Sequence, residues 1–122
     1  MGGPVKNKHL FIRVGFALSG LRYAIGREKS LRFQLIAAIA ASVLLVVLQP
    51  ALYWWAIVII VIAMVLAAEI FNTAIEGICD FIQPENDERI KNIKDVAAGA
   101  VLVTSLGAVV VACLLLLDLF VN

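Results

Sequence analysis

The chain has 122 residues, 63% of them hydrophobic, with a formal net charge of +1 and a mean hydropathy of +1.03. A soluble domain averages about 45–50% apolar residues, so the composition excludes an ordinary soluble globule and a strongly basic nucleic-acid binder. It points to an integral membrane protein folded as one domain over 1–122, with no nucleic acid among its partners.

Seven of the ten basic residues lie in the first 32 positions: Lys6, Lys8, Arg13, Arg22, Arg27, Lys29 and Arg32. A cleaved secretory signal needs a short apolar core near its start, and charges this dense argue against one. Within the same stretch Phe11, Val14, Leu18, Leu21 and Ile25 recur at steps of three and four, the spacing of one apolar helix face. A basic amphipathic helix over about 6–27 is therefore expected, lying in the membrane interface or packed on the protein's own spans.

From Phe33 to Ala68 no residue carries a charge, and the only break is Gln49-Pro50. Proline lacks an N–H and disfavours helix in the residue before it. A bilayer core of roughly 30 Å takes about 20 apolar residues per helix. The run thus divides into spans at 31–48 and 51–79, and the uncharged run that starts at Val96 supplies a third at 95–118. The remaining basic residues, Arg89, Lys91 and Lys94, sit between the second and third spans. The positive-inside rule then puts the N-terminus and the 80–94 loop in the cytoplasm, and the Gln49-Pro50 turn and the C-terminus outside. Three short spans enclose little interior, so an oligomer is expected. Cys79 and Cys113 have no metal-binding or redox spacing and are read as packing residues.

The second span ends in EIFNTAIEGICD, Glu69 to Asp80. At 100° per residue Glu69, Asn72, Glu76 and Asp80 fall within an arc of roughly 80°, and Glu69 lies about 27 Å along the axis from Ala51. One polar stripe therefore begins at the inner headgroup level. Glu28 precedes the first span and Lys94-Asp95 opens the third, so topology gathers these groups at one boundary. Ionisable residues within spans are expensive and mark function by default. Asp80, Glu85, Asp87 and Glu88 taken singly read as solvated loop charges, and Asp118 as an outer-interface residue. Several carboxylates, an amide and a lysine suit Mg²⁺ with the phosphates of a nucleotide, with one carboxylate left as base for a hydroxyl. The chain carries no G-x-x-x-x-G-K-[ST], H-R-D, D-F-G or G-x-S-x-G, so phosphoryl transfer would need a helix-built site.

EIFNTAIEGICD, followed by KNIKDVAAGAVLV and preceded by GLRYAIGREKSLR, closely resembles the prokaryotic diacylglycerol kinase family over nearly the whole chain. The resemblance implies an all-α, three-span homotrimer with an N-terminal surface helix in the bacterial cytoplasmic (inner) membrane. It implies transfer of the γ-phosphate of ATP to a lipid hydroxyl, making phosphatidic acid from diacylglycerol. It casts Glu69 as the general base beside the lipid, with Ala98 nearby, and Glu28 and Glu76 as ligands of the nucleotide's Mg²⁺. Asn72 would position phosphate or metal, and Asp80 with the Lys94-Asp95 pair would be nucleotide contacts, Lys94 on the phosphates and Asp95 on the nucleoside side. Glu85, Asn86 and Asp87 fall in the region expected near the base. In trimeric relatives the site is shared between subunits, so Glu28 and Glu69 need not come from one chain. Phe16, Asp87 and Ala98 depart from some relatives, which carry tyrosine, histidine and serine there. The NTAIE variant is similar to the branch in which undecaprenol kinases are also found, so undecaprenol stands as an alternative acceptor. A small proton-coupled carrier and a structural membrane subunit are the rival readings; carriers place their site near the midplane, and this stripe starts at the interface.

Overall fold

The computed structural model describes residues 9–83 and 85–122. The expected helix positions 6–8 and Pro84 of the QPENDER loop lie outside the described residues. The structure is all-helical, with α1 His9–Arg27, α2 Lys29–Leu48, α3 Leu52–Ile82 and α4 Glu88–Val121. The last three are each long and apolar enough to cross a membrane.

Local chemistry sets the breaks. Gln49 closes α2 in the left-handed region at φ 48°, its N–H donating to the Leu45 carbonyl. Pro50 follows at once, so α3 begins after three residues and turns back against α2. Between α1 and α2 only Glu28 is non-helical, at φ −103° and ψ 113°. The Arg32 guanidinium reaches back to cap α1, donating to the carbonyls of Ile25 at 2.8 Å and Gly26 at 3.0 Å. A cation on the last carbonyls of a helix satisfies groups the helix leaves open and complements its dipole.

Hydropathy marks where a helix is greasy rather than where it ends. At 1.5 Å per residue α3 and α4 run roughly 46 and 51 Å, against a hydrocarbon core of roughly 30 Å. The surplus lies at the charged end. There α4 starts at Glu88 because Asp87 caps it, accepting from the N–H groups of Arg89 at 2.8 Å and Ile90 at 3.4 Å.

The side-chain bond from Arg89 and its backbone N–H together hold the Asp87 carboxyl below its usual value. A carboxyl so depressed contributes stability above its unfolded pKa of about 3.9 and loses it as pH falls through the lower folded value. Acidification below about pH 4 should therefore fray the first turn of α4, seen as faster amide exchange at Arg89 and Ile90. In Asp87→Asn that acid dependence should vanish; if it persists, the cap is not its source.

Packing is concentrated on α3, which lies chiefly against α4 and less against α2, while α1 touches α2 and α3. Among the described residues α2 and α4 have almost no contact with each other. Among the described residues the buried apolar cluster, Leu45, Trp54, Val58 and Leu115, closes the end of the bundle opposite the acidic stripe. The indole N–H of Trp54 donates to Asp118 Oδ2 at 2.9 Å, and Asn122 donates to the other oxygen at 2.6 Å. A polar bond between spans contributes about 0.6 kcal/mol on average, so the pair fixes the register of α3 on α4 more than it stabilises the bundle. Elsewhere the spans expose Phe33, Ile36, Val47, Val103 and Val110, the outward apolar surface of a bundle that meets lipid or other subunits.

Candidate active site

The charged end of α3 carries an acidic stripe whose members sit in different environments. Glu69 is 4% exposed and Asn72 9%, Glu76 is half-buried and Asp80 is exposed. Position along the axis does not explain this alone: Cys79 is still buried at 3%, so its neighbour Asp80 is exposed by the side of α3 on which it lies.

Three bonds order this stripe. Asn72 Nδ2 donates to Glu76 Oε1 at 3.0 Å, one helical turn away. The Thr73 hydroxyl donates to the Glu69 carbonyl at 3.0 Å, tying that side chain to its own helix. Lys94 Nζ on α4 donates to Asp80 Oδ1 on α3 at 2.5 Å, joining the two long helices beyond the apolar section.

What stays unbonded is as informative. Among the described residues the Glu69 carboxylate has no hydrogen bond or ion pair, and Asn72 Oδ1 is buried without a partner. A buried polar oxygen left open costs free energy unless something outside the chain meets it. Asn72 Oδ1 and the carboxylate of Glu76 beside it are hard oxygen donors of the kind Mg²⁺ takes when it keeps its waters and phosphate oxygens for the rest of its shell. The residues fit such an ion, although among the described residues no three His, Cys, Asp or Glu side chains converge.

The other sequence-predicted residues lie around this core. Glu28 is half-buried at the α1–α2 junction, and its carboxylate makes no bond to the rest of the site within one chain. Asp95 is held by Lys91 at 2.6 Å on the exposed side of α4, and Asp87 by Arg89. Glu85 and Asn86 are exposed in the α3–α4 connection, and Ala98 is exposed beside buried Ala97. The structure thus joins Asn72 to Glu76 and Asp80 to Lys94, and leaves Glu28, Asp95, Ala98 and the loop residues apart from them.

Two contributors were not read from the sequence. Arg32 fixes the junction that presents Glu28; a basic residue within reach of a preceding helix end was the available signal. Thr73 restrains the Glu69 turn, and its hydroxyl at i+4 carries no sequence mark beyond ordinary helix content.

The family described as prokaryotic diacylglycerol kinase matches residues 15–116, a range that contains every one of these residues. The chain is 34% identical over 104 residues to a diacylglycerol kinase of Sinorhizobium sp., covering 82% of this chain and 75% of that one. It is 32% identical over 102 residues to the diacylglycerol kinase of Escherichia coli K12, covering 84% of each. A diacylglycerol kinase of Synechocystis is 29% identical over 110 residues, covering 88% of this chain and 63% of that protein.

Proposed function

For a chain that belongs to the prokaryotic diacylglycerol kinase family, and so is a multi-pass membrane lipid kinase, we propose that the γ-phosphate of ATP passes to the hydroxyl of diacylglycerol at the charged end of α3, giving phosphatidic acid. The observation that carries this reading is the buried residue Glu69, whose carboxylate has no hydrogen bond or ion pair among the described residues, set one turn from the open Asn72 oxygen. A carboxylate at a span boundary is costly, and one left unpaired is available to a substrate.

Glu69 accepts the proton of the lipid hydroxyl as its oxygen attacks the γ-phosphorus and the bond to the departing ADP oxygen breaks. Glu76, aimed by the Asn72 amide, and Glu28 would hold the Mg²⁺ of the nucleotide, with Asn72 Oδ1 as a further oxygen donor. Bound there, the ion would neutralise phosphate charge. Lys94 trades Asp80 for the phosphates, an exchange that a half-exposed ion pair allows at little cost. Asp95 lies on the nucleoside side, with Glu85, Asn86 and Asp87 near the base, and Ala98 beside the lipid.

Glu28 comes to the others across a subunit boundary, in a homotrimer that covers the exposed apolar faces. The apolar residues of α1, Leu10, Phe11, Val14 and Leu18, are exposed and lie in the membrane interface. The charge bias puts α1 and the α3–α4 loop on the cytoplasmic side of the bacterial inner membrane, where ATP is found.

Purified protein incubated with labelled ATP, Mg²⁺ and either diacylglycerol or undecaprenol should label diacylglycerol. Label in undecaprenol alone would replace the acceptor, and label in neither would overturn ATP-dependent transfer to these lipids.

A further inference from the structure

Glu28 is bonded through its backbone on both sides. Its N–H donates to the Ala24 carbonyl of α1 at 2.8 Å, and its carbonyl accepts from the Arg32 N–H of α2 at 3.3 Å. Its side chain is committed to neither helix. At an N-cap a polar side chain ordinarily turns back onto an open N–H of the first turn, and Glu28 makes no such bond.

The junction is gripped from both ends. Ala24, one turn before Glu28, is 5% exposed, and Leu31, three residues after it, is 1% exposed. Between these grips the Arg32 side chain reaches past Glu28, its Nη1 donating to the carbonyls of both Ile25 and Gly26. A helix leaves its last four carbonyls without partners of its own. In α1 the Glu28 N–H takes the first of the four and Arg32 takes the next two.

Without the Arg32 bonds, the angle between α1 and α2 would rest on the two dihedrals of Glu28. These lie at φ −103° and ψ 113°, inside a β region roughly 100° wide in φ and 80° in ψ. A ligand side chain has to be held within about 10–20° of its working geometry. The backbone of Glu28 alone is several times too loose for that, and the Arg32 bonds supply the missing restraint.

We propose that Arg32 is a positioning residue of the metal site: its latch on the end of α1 fixes the Glu28 backbone and so aims the Glu28 carboxylate at the Mg²⁺ of the nucleotide. The inference rests on the reading of Glu28 as a metal ligand given above. It adds that affinity for the ion is set partly by a side chain that touches neither the ion nor the nucleotide.

The test compares Arg32→Met, which keeps an apolar stem and removes the donors, with Arg32→Lys, which keeps a charged donor, in the purified full chain. Mn²⁺ binding in the presence of ADP, followed by electron paramagnetic resonance of the free ion, reads metal affinity without turnover. The Mg²⁺ needed for half-maximal rate reads it during turnover. In Arg32→Met both should weaken about tenfold, the low end of the cost of losing an outer partner of a metal ligand. KM for lipid should not change, and Arg32→Lys should recover most of the loss. Added to Glu28→Gln, Arg32→Met should weaken metal binding no further, because it acts through that carboxylate. Losses that add in the double variant make Arg32 a direct nucleotide contact and overturn the latch. Mn²⁺ binding unchanged in Arg32→Met but weakened in Glu28→Gln overturns the latch and leaves Glu28 a ligand. Binding unchanged in Glu28→Gln overturns the metal reading of Glu28 and the latch together. A parallel fall of thermal midpoint, lipid KM and metal affinity in Arg32→Met, unrelieved by lysine, makes the residue structural and also overturns it.

Discussion

Glu69→Gln is expected to leave a folded, membrane-inserted protein with at least about a thousandfold lower kcat, within the range a positioned general base supplies. The two side chains have nearly the same shape, and among the described residues the Glu69 carboxylate makes no bond that the amide would lose. The variant should therefore be no less stable than the parent. The thermal midpoint in detergent, the oligomeric state and the KM for MgATP should stay near wild type while turnover collapses. Activity within tenfold of the parent would remove Glu69 from the proton transfer. A parallel fall in stability would make its role structural.

The backbone of this argument could be read from the sequence because its signals are local. Pro50 and the uncharged runs on either side mark three apolar spans, and three of the described helices meet that description. The common face of Glu69, Asn72, Glu76 and Asp80 follows from helical spacing alone. Burial does not: Glu69 and Cys79 are buried while Asp80 beside Cys79 is exposed, which depends on which sides of α3 its neighbours cover, a tertiary property. The pairing of Lys94 with Asp80 depends on where α4 begins, and Asp87 sets that start by capping a helix whose apolar run begins later. Trp54 and Asp118 are 64 residues apart. Their bond needs α3 and α4 to be antiparallel neighbours in one register, and no local pattern carries that.

The second large effect concerns Glu28 and Glu76, which should act alike although one is bonded and the other is not. In Glu76→Gln the amide oxygen can still accept the Asn72 N–H, but the proposed metal position loses its negative charge and its second oxygen, which becomes an N–H donor. In Glu28→Gln the charge goes from a residue that stands clear of the stripe within one chain. If both hold the nucleotide's Mg²⁺, each variant should need about 10- to 100-fold more Mg²⁺ for half-maximal rate, the scale on which losing a group around a bound metal lowers affinity. KM for free lipid should not change. Titrating Mg²⁺ at fixed ATP and then lipid at saturating Mg²⁺ separates the two constants. A metal requirement unchanged in Glu28→Gln would leave Glu76 and Asn72 as the protein's side of the site. That outcome would also remove the reason for carrying Glu28 across a subunit boundary, since its proposed link to the stripe is an ion held in common with Glu76.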